Sequence, residues 1–343
     1  MEQLHNLQTQ IAAMEQEIEY LYAERRALVR ESEALIKDTV VQEPIVLPES
    51  AYESDLDRIL KAQKELPKKA KVACQGVEGA YSHQAADQFF QDPEITFLKD
   101  FENVFQAVED GIVEYGVLPV ENSTAGSVIP VFDLMRKHNF YIVKDTRVLV
   151  RHNLLTKEAV AIEDVKEVYS HPQALHQCQN LFKDYENLES HEYSNTAAAA
   201  KFVSEAENPH IAAIASEKCA DMYGMHLLKE DVQDVSGNST RFICISKTPG
   251  FPEDASKISL CLTLPHKPGA LYHLLHKFVI HHLNLSKLES RPYPEKRFEY
   301  LFYLDIEGNC GDTQVRWLLN ELNHQLEYFK FLGSYSTMEP KED

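Results

Sequence analysis

From Lys71 to Lys247 short apolar runs of strand length alternate with segments of helical period, and no other feature of the 343-residue chain restricts its fold as strongly. Residues 70–75, 95–100, 115–123, 141–156, 165–172, 188–194, 210–216 and 241–247 read as strands, and helical spacing fills most of the gaps. Such alternation implies an α/β unit with a largely parallel sheet, because parallel neighbours need crossover helices. The stretch is generous for one compact sheet. The long strand around 141–156 is therefore expected to carry the chain into a second lobe, and the segment before 241–247 to bring it back.

The pattern changes on either side. Leu4, Leu7, Ile11, Met14, Ile18, Leu21 and Leu28 follow three- and four-residue steps, the seam of a coiled-coil-like helix over residues 1–37. Pro44 and Pro48 break it, and a short helix is expected from about Ser54 to Leu66. Pro67–Lys69 and Pro249–Ala255 read as linkers. Beyond the second, Ile258, Leu260, Leu262 and Leu264 alternate as a half-buried strand, Pro268-Gly269 opens a helix, and the remainder reads β-β-α-β. The sum is a ferredoxin-like β-α-β-β-α-β unit.

Several functions are excluded by what the chain lacks. With 54 acidic residues against 34 Lys and Arg, its charge of −20 repels phosphate backbones and anionic lipid, so neither nucleic acid nor a membrane surface is an expected partner. No GxGxxG or GxxxxGK[ST] cradle is present, nor GxSxG, nor HExxH, and no CxxC pair occurs among the six cysteines. No cofactor and no metal are expected; His276, His281 and His282 read as helix-surface residues. No apolar run is long enough to span a membrane and no signal peptide is seen, so a reducing cytoplasm is the expected address.

Four polar clusters remain, each at a strand end or loop, where open α/β sheets bind ligands. Gly76–Ser82, with Gly79, Ala80, Tyr81 and Ser82, forms a strand-to-helix turn whose free N–H groups suit an anion, Ser82 being the expected cap. Glu121, Asn122, Ser123 and Thr124 follow the strand at 115–120. Ser170, His171, Pro172 and Gln173 lead to Gln177, which shares a helix face with Gln173. Gly237, Asn238, Ser239, Thr240, Arg241 and Phe242 precede an apolar strand. Each also has an ordinary reading as a capped helix or a turn. Together they describe a site of neutral hydrogen-bonding groups, suited to a substrate that carries its own reactivity and needs placement.

In this order the four clusters closely resemble prephenate dehydratases. The likeness spans about Lys71 to Lys247 through GVEGAYS, GVLPVENSTAGSV, SHPQALHQC, the helix start at Asn195-Thr196 and Thr240-Arg241-Phe242. Gly269-Ala270-Leu271 and Glu289-Ser290-Arg291-Pro292 resemble the ACT domain that follows the dehydratase in this family. The resemblance implies a two-lobed, type II periplasmic-binding-protein-like catalytic domain over 71–248. Its first lobe is expected at about 71–147 and 236–248, its second at about 148–235, with an ACT domain at 257–336. It implies conversion of prephenate to phenylpyruvate, water and carbon dioxide. Thr240, Asn122, Glu121, Gln177 and Ser170 are the implied catalytic residues. Gly79, Ala80, Tyr81, Ser82, Ser123, Thr124, His171, Thr196, Arg241 and Phe242 are the implied substrate contacts, with Arg241 also able to brace the lobe. L-Phenylalanine is the implied inhibitor, at Gly269, Ala270, Leu271, Asn284, Leu285 and Ser290, in a homodimer or homotetramer.

Residues 1–66 resemble a chorismate mutase helix preceding the dehydratase in fused enzymes, with Arg25 on its second active-site arginine. Gln8 stands where that family carries arginine, Ile59 where it carries an acid, and the third helix is missing. A degenerate, oligomerising extension is the expectation. A bifunctional chorismate mutase/prephenate dehydratase is the alternative. A non-catalytic receptor for small anions or amino acids is a second alternative.

Overall fold

The computed structural model describes residues 55–62, 64–296 and 298–338, together with the helical positions Tyr20, Leu21, Glu24 and Ala27. Of the N-terminal seam it describes only Leu21, which is exposed; Gln8, Arg25 and the rest of the seam lie outside the described residues.

Lobe one begins with β1 (Lys71–Gln75), β2 (Glu94–Leu98), β3 (Tyr115–Asn122), β4 (Gly126–Ser127) and β5 (Tyr141–Leu149). Lobe two holds β6 (Asn153–Thr156), β7 (Glu167–Ser170), β8 (Glu189–Glu192), β9 (Ile211–Ala215) and β10 (His226–Lys229). The chain then returns to lobe one as β11 (Ser239–Ser246). The strand orders are β2-β1-β3-β11-β5 and β8-β7-β9-β6-β10. Each is the same scheme: three parallel strands, one antiparallel strand by which the chain enters from the other lobe, then the strand before it leaves. This repeated order is the two-lobed type II arrangement the sequence implied. The single strand expected over 141–156 is two strands in different sheets. Between them the backbone leaves both ladders, with Val150 N–H bonded to Asn238 and His152 N–H to the Gln233 side chain.

Local chemistry sets the helix starts in both lobes. The side chains of Asp100, His171 and Asn195 accept N–H bonds at the starts of Phe101–Glu109, Pro172–His176 and Thr196–Glu205. Ser82 is not a cap. The first helix starts one residue before it, at Tyr81, with Ala80 as a cap that offers no side-chain acceptor. β9 is buried along its whole length, as a strand covered on both faces must be.

The C-terminal unit is ferredoxin-like: β12 (Lys257–Thr263), helix Ala270–Ile280, β13 (Leu285–Pro292), β14 (Tyr300–Glu307), helix Thr313–Gln325 and β15 (Phe329–Tyr335). Its strands are ordered β13-β14-β12-β15. Its sheet does not stand alone. β15 meets β5 at Gly333 and Ile142, and β16 (Thr337–Met338) pairs with Asp145–Thr146, giving one continuous eleven-stranded sheet. A Cβ at Gly333 would lie 2.0 Å from the Ile142 carbonyl oxygen, so the junction requires glycine. The helix expected over 54–66 is confined to Asp55–Leu60, and its Leu56 and Leu60 are buried in the C-terminal core beside Phe251 and Ile258. That segment packs with the C-terminal unit rather than as an independent extension.

Candidate active site

A cleft of about 180 Å³ opens between the lobes. Its floor is the ladder between β3 and β11, where Thr240 stands opposite Asn122. Asn122 Nδ2 donates to Thr240 Oγ1 at 3.0 Å and to Asn238 Oδ1 at 2.8 Å. Its Oδ1 accepts from the backbone N–H groups of Thr124 and Ala125 and from the Thr124 hydroxyl, which holds the loop in a tight Asx turn. With its oxygen occupied as an acceptor from Asn122, Thr240 has its own hydroxyl proton to offer into the cleft.

Lobe two answers with Gln177. Its Nε2 donates to Thr124 Oγ1 at 2.9 Å, while its Oε1 accepts from Asn238 Nδ2 at 3.2 Å and His152 Nε2 at 3.1 Å. The amide is thus fixed from both ends, and the lobes are joined by side chains at the cleft itself. Burial holds the His152 pKa below its ordinary value, so the ring is neutral and serves as a donor to Gln177.

Two helix starts face the same space. Ala80, Tyr81 and Ser82 line it from lobe one, and Asn195 and Thr196 from lobe two. His171 and Phe242 complete the part of the wall that the sequence anticipated, and burial holds the His171 pKa down as well. Among the described residues, no Asp, Glu, Lys or Arg contributes to the lining. An anion here meets N–H dipoles and hydroxyls rather than a counter-charge. Among the described residues no group of His, Cys, Asp and Glu is placed to hold a metal ion.

Six expected site residues do not line the cleft, among them Thr124, which reaches it only through the bond its hydroxyl oxygen accepts from Gln177. Ser170 is fully buried and donates its hydroxyl to the Ile214 carbonyl at 2.6 Å. Gly79 gives its N–H to His83 Nδ1, and a Cβ there would meet Cys219 Sγ at 3.0 Å, so its small size permits contact with lobe two. Ser123 caps the return of β11, accepting from Ser239 N–H. Glu121 and Arg241 point behind the sheet, because side chains alternate along a strand and their neighbours Asn122 and Thr240 take the cleft face. Glu121 pairs with Lys287 at 2.8 Å, and Arg241 with Asp145 at 2.6 Å and Asp305 at 2.5 Å. Conversely, Asn238 and His152 belong to the cleft although neither carries an implied role in the sequence. Asn238 lies within a recognised cluster, two residues before Thr240. His152 carried no local signal.

In the C-terminal unit Gly269 caps the helix Ala270–Ile280 in a left-handed conformation, φ +81°. Asn284 and Ser290 are exposed, while Leu271 and Leu285 are half-buried against the domain core.

A two-lobed α/β fold with a polar, uncharged cleft and a ferredoxin-like domain fused behind it defines the class of protein as one that takes a small molecule between its lobes. Residues 72–250 match the family model for prephenate dehydratase, and the chain belongs to that family. It is 38% identical over 278 residues to arogenate dehydratase/prephenate dehydratase 2 of Arabidopsis thaliana, covering 78% of this chain and 73% of that protein. It is 33% identical over 358 aligned positions to the bifunctional chorismate mutase/prephenate dehydratase of Aquifex aeolicus, covering 98% of each. Among solved structures, prephenate dehydratase from Arthrobacter aurescens in complex with L-Phe superposes with a TM-score of 0.72 at 28% identity, over 78% of this chain and 90% of that one. The chain is thus a dehydratase of aromatic amino-acid biosynthesis.

Proposed function

We propose that the chain acts on prephenate, releasing water and carbon dioxide to leave phenylpyruvate, and that L-phenylalanine inhibits it through the C-terminal unit. The observation that carries the substrate reading is the uncharged cleft floor, Thr240 supported by Asn122. In prephenate the ring carboxylate leaves as carbon dioxide, its bonding electrons aromatise the ring, and the ring hydroxyl departs from the far carbon, taking up a proton to become water. Aromatisation drives the reaction, so the protein has two tasks. It holds the dianion on the helix starts at Ala80–Ser82 and Asn195–Thr196. It also places the Thr240 hydroxyl against the departing oxygen, where a hydrogen bond strengthens as charge develops. A cation beside the ring carboxylate would stabilise the ground-state anion and oppose its loss; the lining contains none.

Arogenate differs by an α-ammonium in place of the keto group. The lining offers no carboxylate to receive it, which favours the keto acid. Turnover of each compound by the purified chain tests the reading. Efficient loss of arogenate with prephenate untouched reverses it.

A second reading adds chorismate mutase activity, favoured by the end-to-end match to the bifunctional Aquifex protein. Gln8 and Arg25 lie outside the described residues, and Ile59 packs against the C-terminal core. Conversion of chorismate, lost on Arg25→Ala, supports that addition; no conversion removes it.

A further inference from the structure

Behind the catalytic ladder lies a second pair of rungs. Glu121 and Arg241 are partners across β3 and β11, one step along from Asn122 and Thr240. Lys287 and Asp305 are partners across β13 and β14 of the C-terminal unit. The two rungs face each other with opposite charges matched. Lys287 Nζ meets Glu121 Oε1 at 2.8 Å, and Arg241 Nη1 meets Asp305 Oδ2 at 2.5 Å. Around them, Tyr335 OH accepts from Arg241 at 2.7 Å, and Lys287 also donates to Ser127 Oγ, whose own hydroxyl bonds Glu289. Arg241 and Asp305 are each only about a tenth exposed at the side chain, so their pair is little screened by water, whereas Glu121, at 39%, leaves its pair with the partly buried Lys287 more open to solvent.

We propose that Lys287 and Asp305 are positioning residues for the dehydration. By gripping Glu121 and Arg241, they fix the β3–β11 ladder so that Asn122 and Thr240 stand at the correct separation on its other face. The warrant is geometric. A strand is stiff over two residues, and the backbone atoms that carry Glu121 and Arg241 are bonded directly to those that carry Asn122 and Thr240. A shift in one face of such a ladder moves the other, and small misplacements of catalytic groups are costly in rate. The inference rests on the assignment of Thr240 and Asn122 to the chemistry.

The test uses the full-length chain and four variants: Lys287→Met, Glu121→Gln, their double mutant, and Thr240→Val as reference. None of the first three alters the cleft lining. The expected result is a kcat about tenfold lower for each single variant with KM within about twofold of wild type, the scale on which coupled neighbours affect one another. The double mutant should be no slower than either single one, and Lys287→Arg should recover most of the loss. Thermal melting establishes that each variant is folded; Glu121 is the more exposed partner, so Glu121→Gln serves if Lys287→Met does not fold. Wild-type kcat in the folded single variants, beside an inactive Thr240→Val, overturns the positioning role and leaves the site assignment standing. Full activity in Thr240→Val overturns both.

Discussion

Thr240→Val separates chemistry from architecture at the centre of the cleft. Valine keeps the shape of threonine and removes the hydroxyl. In the structure that hydroxyl receives one bond from Asn122 Nδ2, and the same nitrogen keeps its 2.8 Å bond to Asn238 Oδ1. No polar group is orphaned, so the stability cost should stay near the net worth of one hydrogen bond, about 1 kcal/mol. The rate is another matter. Losing a donor that acts on the departing oxygen should cost about 2–4 kcal/mol of barrier, roughly 10²–10³ in kcat. Asn122→Ala is the informative contrast. It removes the donor to Thr240 and also leaves the backbone N–H groups of Thr124 and Ala125 without their acceptor, while the Thr124 hydroxyl still has Asn238 Oδ1, so it should lose both turnover and several degrees of melting temperature. Initial rates of phenylpyruvate formation and thermal melts on both proteins read the two effects separately. A Thr240→Val enzyme that is folded and within threefold of wild-type kcat would refute the reasoning.

Other consequences are more local. His152 is held below its ordinary pKa of 6.5 by burial, so the unfolded state gains protons before the folded state does as pH falls. Stability should be fully present above about 6.5 and decline below it; His83 and His171 shift the same way, and His152→Gln should flatten only part of the melting temperature drop between neutral and mildly acid pH. An unchanged pH dependence in that variant argues against a buried neutral ring. Gly333→Ala places a Cβ on the Ile142 carbonyl, and chemical denaturation should show a loss of at least ~3 kcal/mol; an unchanged midpoint would mean the β15–β5 junction does not form. Gly269→Leu puts a side chain at a left-handed cap, and should abolish inhibition by L-phenylalanine while leaving uninhibited turnover near wild type. Inhibition that survives this change removes Gly269 from the regulatory site.

What the sequence made legible followed from local rules. The two-lobed sheet was readable because β1 through β11 alternate with amphipathic helices, and the cleft members Thr240, Asn122 and Gln177 were readable because each sits where a strand or helix ends. Parity also lay in the sequence. Thr240 and Phe242 share one face of β11, and Arg241 must take the other. That parity leaves Arg241 the bracing role open to it rather than substrate contact, and it likewise separates Glu121 from Asn122 on adjacent positions of β3. The partners of Arg241 were not legible, since Asp145, Asp305 and Tyr335 come from separate stretches of chain brought together by β5, β14 and β15. His152 was hidden for a related reason. It sits in the three-residue break between β5 and β6, and it gains a role only when lobe two brings Gln177 against it.

The alternation that turned Arg241 and Glu121 out of the cleft also explains why a regulatory domain can sit on the far side of this sheet and still matter to it. The helix start at Gly269–Leu271 and the approach to β13 at Asn284–Leu285 are where an amino acid is expected to bind. Lys287 lies two residues beyond Leu285 on β13, and Glu289 two beyond that, so both are tied to lobe one along the same strand. A ligand at the start of β13 influences the cleft only by the difference in its affinity for two arrangements of that strand. The charged rungs supply a physical element that can differ between the arrangements. Engaged, they hold Asn122 opposite Thr240; displaced, they free a ladder whose antiparallel register already shifts between Arg241 and Phe242. Inhibition of this kind predicts a signature distinct from competition. L-Phenylalanine should lower kcat more than it raises KM, and its effect should shrink in Lys287→Met although calorimetry still detects the ligand bound. Purely competitive inhibition, equal in wild type and Lys287→Met, would place the inhibitor in the cleft itself and detach the rear clasp from regulation.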